Sequence, residues 1–196
     1  PILMKKPVIY LYPKEETEIN VQLSVAGELT FTYPQYENGW TVKADSDGNI
    51  TYNNETFNYL FWESEQHFDK SIVDENQGVI IAQKDLLAYL EKSLTSFGFS
   101  SKEQADFITY WIPHMNDATN LYIYFLFNEA CDNFATLNIS PKPSQIARFY
   151  MLWGDAGTNY DETGIIPQEF PSFNRDSFTV LEWGGAEIDV KSKTID

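Results

Sequence analysis

From Thr17 onward apolar and polar residues alternate strictly, with Ile19, Val21, Leu23 and Val25 on one side and Glu18, Asn20, Gln22 and Ser24 on the other. A period of two marks a strand with one face buried and one wet. Ala26-Gly27-Glu28 supplies a turn, and Leu29, Phe31 and Tyr33 then alternate with Thr30 and Thr32 as far as Pro34. The two stretches read as a hairpin. Trp40, Val42 and Ala44 predict another alternating strand, Asp47-Gly48 a positive-φ turn, and Ile50 with Tyr52 the return. Residues 8–12 and 57–62 are apolar almost without a break, as strands covered on both faces are. Residues 7–64 therefore predict strands near 7–12, 18–25, 28–33, 40–45, 49–53 and 57–63, in an antiparallel sheet or small sandwich.

After Glu63 the period lengthens. Residues 78–82 form a short apolar run, and Leu86, Leu87, Leu90, Leu94 and Phe97 then recur at helical spacing up to Gly98, a natural C-terminal cap. Ser100 and Glu103 make a capping box for a second helix whose apolar stripe is Phe107, Ile108, Trp111, Ile112 and Met115. Pro113 disfavours helical geometry at Ile112 and ends that helix nearby. The helices near 85–97 and 101–112 form an αα-hairpin, with Trp111 in the core rather than facing a ligand. Strands near 120–127, 146–153 and 177–183 follow, joined by loops rich in Pro, Gly, Asn and Asp. The expected fold class is α+β: a single domain over 1–196, all-β in 1–66, with an antiparallel sheet packed by the helix pair in 67–196.

Charge narrows the partners. Lys+Arg 13 against Asp+Glu 29 gives −16, a field that repels a nucleic-acid backbone. With 43% hydrophobic residues and 14 Phe, 12 Tyr and 5 Trp, the chain has enough burial material to fold despite that charge. Its longest apolar run, residues 121–127, is far short of the roughly 20 residues a membrane-spanning helix needs. One cysteine, Cys131, cannot form an intrachain disulfide; Glu129 and Asp132 beside it disfavour a thiolate, which leaves a structural thiol.

Several segments carry a resemblance: Lys6-Pro7-Val8-Ile9-Tyr10-Leu11-Tyr12-Pro13, Gly39-Trp40, Tyr59-Leu60-Phe61-Trp62-Glu63, Tyr110-Trp111-Ile112-Pro113, Ser140-Pro141-Lys142-Pro143 and Glu182-Trp183-Gly184-Gly185. In order and wording they resemble an uncharacterised family of mainly bacterial hypothetical proteins. The resemblance spans nearly the whole chain, implies a recurring single unit, and brings no catalytic residues with it.

Candidate chemistry comes from strand parity. Glu63 falls on the side of Phe57, Tyr59 and Phe61, and Glu182 on the side of Phe178 and Val180, each next to a tryptophan, Trp62 or Trp183. Two semi-buried carboxyls in that setting would form a hydrolytic pair. The ordinary alternative is a pair of rim carboxylates held by a cation, and Arg148 is the named partner. It lies within Ile146-Ala147-Arg148-Phe149-Tyr150-Met151-Leu152-Trp153, a strand too apolar to leave a guanidinium unmatched. Either Glu63 or Glu182 meets it, or it holds an anionic ligand.

Other chemistry is thinner. His67 and His114 with one cysteine make no zinc set of usual spacing. Asp45-Ser46-Asp47-Gly48-Asn49 resembles the opening of a calcium loop but has Thr56 where the twelfth-position Glu belongs, and an Asp-Gly turn accounts for it. Asp155, Asn159, Asp161 and Glu162 offer oxygen donors on one acidic loop. Nucleophile-elbow, phosphate-loop and dinucleotide motifs are absent. His114 is either a loop base or a helix-end cap. Tyr33, Tyr36 and Trp40 offer a sugar-stacking or peptide-docking surface, against the commoner role of strand aromatics as core. These observations favour a non-catalytic binding or interaction module without cofactor or metal, in a secreted or cell-envelope setting. Trp62, Arg148 and Trp183 are its candidate ligand contacts, and a protein or carbohydrate is its partner. The alternative is a hydrolase using Glu63 and Glu182.

Overall fold

In the computed structural model, which describes residues 2–190, the apolar patterns become twelve strands and two α-helices among those residues. The strands are β1 (Ile2–Tyr12), β2 (Thr17–Val25), β3 (Gly27–Tyr33), β4 (Trp40–Ala44), β5 (Ile50–Tyr52), β6 (Glu55–Phe57), β7 (Leu60–Gln66), β8 (Val79–Ala82), β9 (Asn120–Phe127), β10 (Ala135–Ser140), β11 (Gln145–Asp155) and β12 (Thr179–Glu187). The helices are α1 (Leu86–Phe97) and α2 (Ser101–His114). One sheet has seven strands in the order β3-β7-β1-β12-β11-β9-β8, and the other has five in the order β10-β2-β4-β5-β6. The class is α+β.

The pairing corrects the expected hairpin. β2 pairs with β10 and β4 in the five-stranded sheet, whereas β3 pairs with β7 in the seven-stranded one. Residues 25–27 are thus a corner at which the chain changes sheet. The Ala26 amide donates to the Phe134 carbonyl at 2.8 Å, and Gly27 lies so close to β7 that a Cβ there would sit 2.2 Å from the Glu65 carbonyl oxygen. Hairpins and corners share the same alternation, so parity alone does not separate them. A second corner splits the run at 57–63: β6 stays in the five-stranded sheet and β7 joins the other.

Two compact units make up the chain. The first comprises the residues up to Asp69, Leu126–Tyr150 and Asn174–Ala186. In it the buried side of the five-stranded sheet (Ile19, Val21, Trp40, Val42, Ile50) meets one side of the other sheet (Ile9, Leu60, Trp62), and Arg148 of β11 reaches the Ala135 carbonyl of β10. Thr179–Ala186 of β12 are buried without alternation, as in a strand covered on both faces.

The second unit comprises Lys70–Phe125, Met151–Phe173 and the described residues from Glu187 on. Its α1 ends at Gly98, whose φ of 105° permits the left-handed cap and whose N–H reaches the Leu94 carbonyl at 3.1 Å. α2 opens with the expected capping box: Ser100 N–H donates to Glu103 Oε2 at 2.8 Å, and Glu103 N–H to Ser100 Oγ at 3.3 Å. Pro113 sits one residue from the end of α2, where the helix stops. Phe97, Phe99, Phe107 and Trp111 then touch in succession, with ring centres 5.5, 6.1 and 6.3 Å apart.

Trp111 is 1% exposed at the end of this succession. Trp111→Ala is expected to lower unfolding free energy by ~3–5 kcal/mol, as deletion of a buried aromatic ring does. Urea denaturation followed by far-UV circular dichroism measures it, and an unshifted midpoint would contradict the core assignment.

Candidate functional site

Register on the first unit decides which candidate groups meet. Ile9 of β1 lies opposite Glu182 of β12 and Leu60 of β7, so Glu182, Leu60 and, two residues on, Trp62 share the face that points into the core. Val8 lies opposite Trp183 and Phe61, which puts Trp183, Phe61 and Glu63 on the other face. The five sequence candidates therefore divide between the two faces, Trp62, Arg148 and Glu182 on one and Glu63 and Trp183 on the other.

On the core-facing side the arginine is fully engaged. Arg148 Nε donates to Glu182 Oε2 at 2.6 Å, one terminal nitrogen to Asp132 Oδ1 at 2.5 Å, and the other to the Ala135 carbonyl at 2.8 Å and to the Tyr150 hydroxyl at 3.0 Å. The second oxygen of Glu182 accepts the Trp62 indole N–H at 3.0 Å. Burial opposes the arginine's charge, yet Glu182 and its neighbours outweigh that cost and hold the pKa above the ordinary arginine value. Burial, then Glu182, pushes the Tyr150 hydroxyl far above its usual range, so it stays protonated. Cys131 is also buried, its Sγ 3.5 Å from the Leu126 carbonyl, and burial raises the thiol's pKa. What the cluster does chemically is hold a charge inside a core, because every partner comes from the chain itself.

The ligand contacts expected from the sequence are therefore internal. Trp62 and Trp183 are fully buried and Arg148 is 5% exposed, and the Trp183 indole N–H is bonded to Tyr10 Oη at 3.0 Å. The proposed carboxylate pair is not brought together, since Glu63 and Glu182 face opposite sides of the sheet. The reason is that both sides of β7 are apolar in part. The stripe Phe57, Tyr59 and Phe61 outweighs Leu60, Trp62, Ser64 and Gln66 in hydrophobicity, yet the latter set is the buried one. Trp40 is likewise core, its indole N–H donating to the Pro34 carbonyl at 2.9 Å, and the Tyr36 hydroxyl both accepts from the Leu23 amide and donates to its carbonyl.

The remaining polar candidates form local structure. Asp45 closes its turn through both oxygens, accepting from the Asp47 and Asn49 amides and the Asn49 side chain; this bonding, led by the Asn49 side chain, holds its carboxyl below the ordinary range. Asp155 and Asp161 accept from the amides of Gly157 and Thr163. His114 is exposed at the end of α2 with Nδ1 2.6 Å from the Tyr110 carbonyl oxygen. Among the described residues no three His, Cys, Asp or Glu side chains gather as a metal-holding group, and no helix is long and apolar enough to cross a membrane.

Solvent meets an aromatic surface elsewhere, on the outward side of β3 and β7. Phe31 and Tyr33 are each 56% exposed there, and Phe57, Tyr59 and Phe61 are half-buried. Phe31 stands 5.8 Å from Phe61 and Tyr33 5.4 Å from Phe57, edge to face in both pairs. Lys6 Nζ donates to the Tyr59 hydroxyl at 3.0 Å and lies 5.1 Å from the Phe61 ring centre. Tyr59 packs on buried Tyr10, the partner of Trp183. A groove of about 560 Å³ follows β3 from Leu29 to Tyr36, and another of about 420 Å³ lies between Tyr33 and Tyr59. Of these residues the sequence singles out Tyr33; the alternation of Phe31 and Tyr33 with threonines is the available signal, although aromatic residues in strands read first as core.

A 63-residue stretch, 31% of this chain, is 48% identical to the "Uncharacterized protein in bglA 3'region" of Butyrivibrio fibrisolvens. The match spans 66% of that relative, just under two thirds of its length. This bacterial relative agrees with the resemblance to an uncharacterised bacterial family. No family model matches the chain, and no solved structure matches it.

Two outcomes check the buried cluster. Arg148→Met is expected to destabilise by ~3–5 kcal/mol because Glu182 is left charged in the core, and Arg148→Met/Glu182→Gln to recover part of that loss; urea midpoints of the three proteins decide it. Cys131 in the native chain should react with a disulfide reagent only as fast as the core opens, and faster in Arg148→Met, which a stopped absorbance trace with and without urea measures.

Proposed function

We propose that the chain is a non-catalytic binding module that takes a protein or carbohydrate ligand on the outward face of β3 and β7. The observation that supports this is the pair Phe31 and Tyr33, each 56% exposed and each packed edge to face on a half-buried ring, Phe61 and Phe57. Fully burying such a side chain gains ~1.5–3 kcal/mol, and here more than half of each residue's surface is still in water. A surface of this kind beside grooves is a recognition surface more often than an accident of packing. The groups with catalytic potential do not compete for the role: Arg148 and Glu182 are sealed in the core with their bonds satisfied internally.

The test uses the whole chain and the variant Phe31→Ser/Tyr33→Ser. Because both side chains are largely in water, the variant's stability should stay within about 0.5 kcal/mol of the parent. Both proteins are labelled and applied to an array of oligosaccharides and an array of random peptides. Retention of the parent on at least one array, reduced about tenfold or more in the variant, is expected from loss of two aromatic contacts. Equal retention of the two proteins, or none on either array, would overturn the reading.

A further inference from the structure

We infer that the occupant of this face is an extended, basic peptide segment of a partner protein, which adds to β3 as a further strand; the inference rests on the binding reading above. Three observations converge on it. First, β3 is the end strand of its sheet, with β7 as its neighbour among the described residues, and the groove along residues 29–36 lies beside it. The free side of an edge strand offers backbone donors and acceptors to an incoming chain, while side-chain recognition supplies the specificity. β3 carries neither lysine nor proline, the usual guards of such an edge, and its one irregularity is a bulge between Leu29 and Phe31. That bulge restricts which register an added strand can take.

Second, three carboxylates gather on this face without a salt bridge to a described residue, Glu63 Oε1 accepting only the Lys6 amide at 3.4 Å. Glu28 of β3 lies directly opposite Glu65 of β7, both exposed, and Glu63 follows opposite Phe31. Like charges facing one another across a ladder are unfavourable. The side chain of the nearby Lys6 is engaged with Tyr59. Lysine or arginine on the incoming strand supplies the opposite charge.

Third, carboxylates and rings are spaced at strand intervals. Glu28, Phe31 and Tyr33 project from the same side of β3 once the bulge is allowed for, so a partner strand needs a basic residue and an apolar one on one face. The edge-to-face angles of 61° and 77° leave no flat shared plane of the sort a sugar ring stacks on. A peptide side chain inserted between rings suits them better.

Displayed random twelve-residue peptides are selected on the immobilised chain and sequenced, and the most enriched is synthesised. Enrichment of Lys or Arg with an apolar residue at period-two spacing is expected. Binding of the synthetic peptide should fall about tenfold or more in Glu28→Lys/Glu65→Lys, fall with added salt, and fall comparably when alternate peptide amides are N-methylated. Peptides without basic residues, or binding indifferent to both the charge reversal and the N-methylation, would overturn the inference. Retention of an oligosaccharide on the parent but not on Phe31→Ser/Tyr33→Ser, with no peptide selected, overturns it too while leaving the binding reading standing. Failure of both ligand classes removes both.

Discussion

A guanidinium held almost out of water governs how the first unit is put together. Arg148 donates hydrogen bonds to Glu182 on β12, to Asp132 in the turn before β10, to the first carbonyl of β10 and to the Tyr150 hydroxyl on its own strand, and Glu182 extends the set by accepting from Trp62 on β7. An apolar core tolerates some sliding of one layer over another, since dispersion contacts are non-directional. A charged fork with directed donors does not, because a displacement of an ångström or so leaves a buried ion short of a partner. The registers of β7, β11 and β12 and the position of β10 are therefore tied to one residue. Whether such a cluster adds net stability over an apolar replacement is a separate matter from the specificity it imposes.

With that side sealed, the opposite side of the same sheet is where the chain meets its surroundings. Coverage falls off along it in order: Trp183 and Tyr10 are buried, Tyr59 and Phe61 half-buried, Phe31 and Tyr33 largely in water. Each exposed ring packs edge to face on a half-buried one, Phe31 on Phe61 and Tyr33 on Phe57. Preorganised surfaces lose less freedom on association than mobile ones.

Much of the secondary structure was legible because periodicity is a local property. The capping box at Ser100 and Glu103, the Gly98 cap and the alternation of residues 17–25 each follow from side chains a few positions apart. β10 carries a readable signal too, Ala135, Leu137 and Ile139 alternating with Thr136, Asn138 and Ser140, but so short and polar a run does not stand out from the loops around it. Of the candidate cluster, the need of Arg148 for a carboxylate followed from electrostatics alone, and Glu182 proved to be that carboxylate. What parity does not decide is which side of a doubly covered strand is inward. Glu63 does share a face with Phe61, as parity says, but that face is the outward one, so Glu63 does not join Glu182 in the core; the corner at Gly27 is hidden from parity for a separate reason, since sheet membership is set by partners far away in the chain.

The pairing of β1 with β12 has a kinetic side. Tyr12 lies opposite Thr179 and Lys5 opposite Gly185, so β1 has to wait for the synthesis of β12, more distant in sequence than any other described strand, before its ladder is complete. Until then β1, with its run Val8, Ile9, Tyr10 and Leu11, has β7 on one side and an open apolar edge on the other. Closing a loop of that span is slow relative to local pairing, and an unprotected edge of this composition is what holding chaperones recognise. Chains halted before residue 179 thus leave this apolar edge uncovered, and the burden of the architecture falls on synthesis rather than on the finished fold.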